Sequence, residues 1–191
     1  MTNIAIFASG SGTNAQKIIE YFQSSDKIRV SLLLSNNKNA FALQRAEKLG
    51  VPTKVFDRKQ FYESDDVVNE LLEKDINWVI LAGFLWLIPV RLITSFPDRI
   101  INIHPALLPN YGGKGMYGMN VHKAVVDAKE KETGISIHLV NEHYDEGTII
   151  FQAKCVIEEG DTPEMVAEKV HALEHKHFPQ VIEEVIVKSK N

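Results

Sequence analysis

The chain has 191 residues, 45% of them hydrophobic and 24% charged, with a net charge of −4 and a single cysteine, Cys155. That length suits one domain with a substantial core. The charge balance offers no general attraction to nucleic acid or anionic membrane, and one cysteine excludes an internal disulfide framework and fits a reducing cytoplasm. No apolar stretch approaches the roughly 20 residues that span a bilayer.

In chain order, Asn3 to Ala8 reads as a buried first strand rather than a signal peptide. A Gly/Ser loop and a helix from about Asn14 to Gln23 follow. Val30 to Leu34 is a second apolar run, then a helix from Phe41 to Leu49 stops at Gly50. Pro52 to Phe56 predicts a third strand, and Phe61 to Glu73 one helix with Val67, Leu71 and Leu72 on a common face. Trp78 to Ala82 is a fourth strand, Pro89 to Ser95 a short helix, and Arg99 to Ile103 a fifth strand. Such alternation implies parallel strands covered by helices on both faces.

The last third changes character. Thr133 to Val140 and Ile149 to Ile157 are strand-like runs about an acidic, glycine-containing loop. In the second, Phe151, Ala153 and Cys155 alternate with Gln152 and Lys154, the pattern of a half-exposed antiparallel strand near an edge. Asp161-Thr162-Pro163-Glu164 is a helix start, and the closing helix runs from Glu164 to about Val187 with Ser189-Lys190-Asn191 as a frayed tail. The expected fold is α/β: a Rossmann-like doubly wound sheet, mostly parallel, with an antiparallel strand in the C-terminal part, in one domain over 1–191.

Two segments carry chemistry. In Ala8-Ser9-Gly10-Ser11-Gly12-Thr13-Asn14-Ala15 a strand feeds small residues into a helix start, where backbone N–H groups and the helix dipole favour phosphate. A tight turn without a ligand is the plainer alternative. The Gly-x-Gly-x-x-Ala spacing also fits a dinucleotide fingerprint, but Ser35-Asn36-Asn37-Lys38, where an acidic residue is wanted, has no carboxylate.

The second segment is Ile100-Ile101-Asn102-Ile103-His104-Pro105-Ala106-Leu107-Leu108-Pro109. In an extended chain Asn102 and His104 share one side, at the strand end where open α/β sheets place their ligands. Asp145, in the loop after the Gly134–Val140 run, is a candidate partner that would favour the imidazolium and raise the His104 pKa. Asn102 could donate to a developing oxyanion. Sequence spacing cannot prove this convergence, and a His with a distant Asp, taken alone, is more often structural.

Three blocks together resemble the phosphoribosylglycinamide formyltransferase family, folate-dependent transformylases of purine biosynthesis: Ser9 to Asn14, Leu81-Ala82-Gly83-Phe84 on to Asn102–Pro109, and Gly134 to Gly147. The resemblance covers nearly the whole chain. It implies a formyltransferase fold and formyl transfer from 10-formyltetrahydrofolate to the amine of glycinamide ribonucleotide, without a metal, nucleic acid or membrane partner, in a cytoplasmic monomer or homodimer. It assigns Asn102, His104 and Asp145 to catalysis. Gly10, Ser11, Gly12, Thr13, Asn14, His171 and Glu174 fall to the ribonucleotide. Arg58, Leu85, Trp86, Leu87, Ile88, Asn102 and Val140 fall to the folate.

Related formyltetrahydrofolate hydrolases, the nearest rival reading, carry an extra N-terminal domain, and methionyl-tRNA formyltransferases an extra C-terminal one. Many relatives carry a basic residue at the position of Trp86, which predicts a more aromatic folate wall here. Tyr111 to Asn120, rich in glycine, reads as a mobile lid. His171, His175 and His177 lack the spacing of a metal motif, and Cys155 reads as a small buried residue rather than a nucleophile.

Overall fold

A computed structural model describes residues 1–189; Lys190 and Asn191, part of the expected frayed tail, lie outside the described residues. Among the described residues seven strands form one sheet: β1 (Thr2–Phe7), β2 (Ile28–Ser35), β3 (Thr53–Val55), β4 (Ile76–Leu81), β5 (Ile100–His104), β6 (Glu132–Leu139) and β7 (Ile149–Val156). Their order is β3-β2-β1-β4-β5-β6-β7. Pairing is parallel from β3 through β5 and antiparallel for β5–β6 and β6–β7. The central strands are apolar along nearly their whole length, as strands covered on both faces must be. β7 at the edge alternates half-buried and exposed residues.

Among the described residues the helices are α1 (Thr13–Phe22), α2 (Phe41–Lys48), α3 (Arg58–Tyr62), α4 (Asp66–Glu73), α5 (Val90–Ser95), α6 (Met119–Asp127) and α7 (Pro163–Lys188). They divide the core in two. One face of the sheet packs Ile4, Ile6, Ile80, Ile101 and Ile137 against α1, α2, α6 and α7, burying Ile18, Val125, Val170 and Phe178. The other packs Phe7, Leu34, Val79 and Ile100 against α3, α4 and α5, with Phe61, Leu71 and Leu92 at 2% exposure or less. No described helix is long and apolar enough to cross a membrane.

Two local readings need correction. The single helix expected over 61–73 is two. Asp57 caps α3 by accepting from the Gln60 N–H at 2.8 Å while the Gln60 side chain accepts from the Asp57 N–H at 3.0 Å, a capping box that starts the turn early. α3 then ends at Tyr62 and α4 starts afresh after Asp65. The second departure is α6, whose first residues fall inside the stretch read as a loop. Gly118 at φ 51 precedes it, and Val121, His122 and Val125 form its buried face. At the last helix the start is as read: the Thr162 hydroxyl accepts from the Met165 N–H at 3.3 Å, and Pro163 occupies the first turn.

Candidate active site

One cavity of about 600 Å³ opens along the C-terminal ends of β1, β4 and β5, the crevice where such sheets take ligands. At one end lies the Gly10–Asn14 loop with His171 and Glu174 of α7. At the other lie Leu85, Trp86, Leu87, Ile88 and Val140. Asn102, His104 and Asp145 stand between. The cavity thus collects every candidate residue except Arg58. The Arg58 guanidinium instead lies over the rings of Tyr62 (4.9 Å) and Trp86 (5.7 Å).

β5 delivers the central pair. Asn102 and His104 are two apart on one strand and face the cavity, while Ile101 and Ile103 pack into the core. Across the antiparallel ladder Asn102 is level with His138. The His138 Nδ1 donates to the Leu139 carbonyl at 2.9 Å, and Asn102 Nδ2 donates to His138 Nε2 at 3.0 Å. A second, longer contact of 3.4 Å runs from Asn102 Nδ2 to Asp145 Oδ1. His138 is therefore built into the site.

The His104 ring is 4% exposed, with Nε2 at 2.7 Å from the Tyr111 carbonyl and Nδ1 at 3.5 Å from Asp145 Oδ2. A carbonyl can only accept, so Nε2 carries the proton and the neutral ring keeps its lone pair on Nδ1. The expected rise in the His104 pKa is not what the geometry gives. Burial pushes it below the ordinary imidazole value, and Asp145 and the Tyr111 carbonyl only partly offset this; desolvation wins over a carboxylate that stands just beyond hydrogen-bond reach.

Asp145 sits at φ 56, in the left-handed region, a conformation that Asp tolerates better than most residues. Its Oδ2 accepts from the Gly113 N–H at 3.0 Å. Burial works against the carboxylate, yet the imidazoles of His138 and His104 and the Gly113 N–H together hold its pKa below the ordinary value. The glycine-rich loop before α6 thereby touches both titratable groups, through Tyr111 and Gly113.

At the other end, Glu174 is 6% exposed and accepts from Asn14 Nδ2 at 2.8 Å. Burial raises its pKa, with Asn14 and His171 pulling the other way. Asn14 Oδ1 is buried without a partner. His122 of α6, unnoticed in the sequence, also lines the cavity. It is 1% exposed with Nδ1 unpartnered, and burial, with the His171 and His104 imidazoles, pushes its pKa down to about 4. Only recognising α6 as a helix would have put it on an inward face. Among the described residues no group of three or more His, Cys, Asp or Glu side chains is placed to hold a metal ion.

The chain matches the formyl transferase family model over residues 2–182. It is 42% identical over 185 residues to the chloroplastic phosphoribosylglycinamide formyltransferase of Arabidopsis thaliana, covering 94% of this chain and 63% of that protein. The chain thus spans less than two thirds of that plant relative's length. The phosphoribosylglycinamide formyltransferase of Haemophilus influenzae is 35% identical over 187 residues, covering 95% of this chain and 86% of the relative. Among solved structures, the phosphoribosylglycinamide formyltransferase of Bacillus halodurans superposes with a TM-score of 0.87 at 36% identity, covering 98% of this chain and 97% of that one. The glycinamide ribonucleotide transformylase 1 of Geobacillus kaustophilus gives 0.88 at 34% identity, covering 97% and 98%. A polar trio at the end of β5, a small-residue loop before α1 and these likenesses have one reading: the chain belongs to the formyl transferase family, with phosphoribosylglycinamide formyltransferases among its relatives.

Proposed function

We propose that the chain transfers a formyl group from 10-formyltetrahydrofolate to the amine of 5-phosphoribosylglycinamide, giving formylglycinamide ribonucleotide and tetrahydrofolate. The observation that carries this reading is the convergence of Asn102, His104 and Asp145 midway along one cavity, between an anion-favouring loop and an apolar wall. One domain over 1–191 does this work, a reading supported by the single continuous sheet.

The chemistry of the two ends suits the two substrates. Leu85, Trp86, Leu87, Ile88 and Val140 offer apolar and aromatic surface to a flat ring system, and about 600 Å³ is within the range of ordinary ligand pockets. The backbone N–H groups of Gly10 to Asn14 suit a phosphate at the start of α1. The buried Glu174 carboxyl and the unpartnered Asn14 Oδ1 suit hydroxyl or amine donors beside it.

The folate supplies the formyl carbon; the chain's own groups manage the charge and the protons. As the amine nitrogen bonds to that carbon, negative charge gathers on the formyl oxygen. The Asn102 N–H now held by the long Asp145 contact is free to take that oxygen, a donor worth about 10²–10³ in rate. His104, neutral at rest because it is buried, accepts the ammonium proton on Nδ1. Asp145 then stabilises the imidazolium, which returns the proton to the leaving folate nitrogen as the carbon–nitrogen bond breaks. Base and acid are one ring, and the Tyr111 carbonyl keeps its tautomer fixed.

The direct test follows folate absorbance with 10-formyltetrahydrofolate, with and without the ribonucleotide. Turnover that requires the amine is the expected result. Equal turnover without it would make this a deformylase, with Asp145 and His104 acting on water.

A further inference from the structure

We infer that Arg45, which lies outside the cavity, is a positioning residue that turns the backbone N–H groups of the phosphate loop toward the ligand; this rests on the phosphate reading proposed above. The segment Gly10-Ser11-Gly12 carries no basic side chain, so its grip on an anion depends on where its peptide N–H groups point. A trans peptide is planar, with C=O and N–H on opposite sides. Whatever holds one carbonyl therefore sets the direction of the next residue's N–H.

α2 holds two successive carbonyls of this loop. The Ala42 N–H donates to the Gly10 carbonyl at 3.1 Å, and Arg45 Nε donates to the Ser11 carbonyl at 2.8 Å. The N–H groups of Ser11 and Gly12 consequently point away from α2, toward the cavity that both residues line. The fit of loop on helix is close. A Cβ on Gly12, at φ 72, would stand 2.5 Å from the Ala42 Cα. The guanidinium is itself held: its Nη1 donates to the Gln16 side-chain carbonyl of α1, and Gln16 Nε2 donates to Glu20 at 2.6 Å.

Arg45 thus ties α1 to α2 across the back of the loop and sets a permanent positive charge behind the peptide dipoles. A dianion in front of those dipoles is attracted through them. The Ala42 contact is main-chain and survives any side-chain change. The Arg45 contact is the part of the cradle that a substitution can remove.

The experiment compares wild type, Arg45→Met and Arg45→Lys by steady-state kinetics in both substrates, with inorganic phosphate as an inhibitor competing for the ribonucleotide site. Charge-assisted hydrogen bonds are worth about 1.5–3 kcal/mol, so Arg45→Met should raise the KM for the ribonucleotide and the phosphate inhibition constant about 10–100-fold. The kcat and the folate KM should hold within about threefold, as uniform-binding losses do. Lysine, which can still reach the Ser11 carbonyl with one N–H, should restore most of the loss. Unchanged phosphate constants in folded Arg45→Met, an equal fall across kcat and both KM values, or a lysine variant no better than methionine would each overturn the inference. Should Arg45→Met not fold, Gln16→Met releases the guanidinium from α1. A smaller rise in the same two constants is then expected, and none would refute the positioning role. A wild type that neither turns over the ribonucleotide nor is inhibited by phosphate would instead bring down the functional reading itself.

Discussion

Ser136→Ala is the substitution through which the support of the site can be measured. Ser136 lies on β6, wholly buried. Its hydroxyl donates to the Ala106 carbonyl at 2.7 Å, and accepts from the Leu108 N–H at 2.9 Å and Gln152 Nε2 at 2.8 Å. One donor and two acceptor positions are all that a hydroxyl has, and all are used on the segment that follows His104. Alanine leaves the Ala106 carbonyl and the Leu108 N–H stranded in residues at most 5% exposed. Gln152 keeps its 3.0 Å bond to the Leu108 carbonyl. Two orphaned buried groups at about 1–3 kcal/mol each give a loss of about 2–6 kcal/mol. For a domain of this size that is a fall in Tm of about 4–24 °C. Thermal unfolding of purified Ser136→Ala against wild type measures it. Ser95→Ala is the control, because Ser95 makes one half-buried bond of 2.8 Å to the Arg91 carbonyl and should cost under about 1.5 kcal/mol. Since the freed segment abuts His104, kcat should fall as well. A Tm within about 2 °C of wild type would refute the claim that this hydroxyl organises the loop.

Three further outcomes follow from the same geometry. His104→Ala should lower turnover by about 10²–10⁴ with a smaller effect on KM, measured by steady-state kinetics on folded variant. Stability should fall as pH drops from about 6.5 toward about 4, because His122, held down at about 4, and His104, also lowered by burial, bind fewer protons folded than unfolded. For His122 the loss is about 3 kcal/mol at most, and urea titrations at several pH values should show a shallower slope in His122→Asn than in wild type. Gly147→Ala puts a Cβ 1.6 Å from the Leu139 carbonyl and 3.2 Å from His138 Nδ1. It should therefore yield little folded protein, and whatever folds should have a weakened Asn102–His138 contact, read as lost kcat.

Much of the architecture was legible because strand and helix periods differ. The apolar runs at 3–8, 30–34, 78–82 and 99–103 read as covered strands, and the alternation at 149–157 as a half-exposed strand near an edge. Asn102 and His104 were placed together by the two-residue period alone. The missed features depend on other kinds of information. The α3–α4 break needed the capping pair Asp57 and Gln60, which precedes the apolar pattern beginning at Phe61. α6 was hidden because Gly112, Gly113, Gly115 and Gly118 make its approach look like loop. Arg58 does not line the pocket, and its guanidinium lies instead over the faces of Tyr62 and Trp86. The lowered His104 pKa could not be read from a neighbouring carboxylate, because desolvation is a property of the whole surrounding fold. The Ser136–Gln152 brace joins residues 16 apart to a loop 30 away, and nothing local announces it.

The mixed pairing of the sheet sets how the site would come apart on warming. Asn102, His104 and His138 are held on β5 and β6, so their mutual spacing is that of a ladder and persists until the sheet melts. Asp145 rides on the connection from β6 to β7, tied down by single contacts to Gly113 and the facing side chains. Connections of this kind open locally at lower free energy than central strands. Heat should therefore detach the carboxylate first, leaving a folded protein that still positions the amide and the imidazole but can no longer stabilise the proton in transit. Inactivation and unfolding would then be separate events, with the first at the lower temperature.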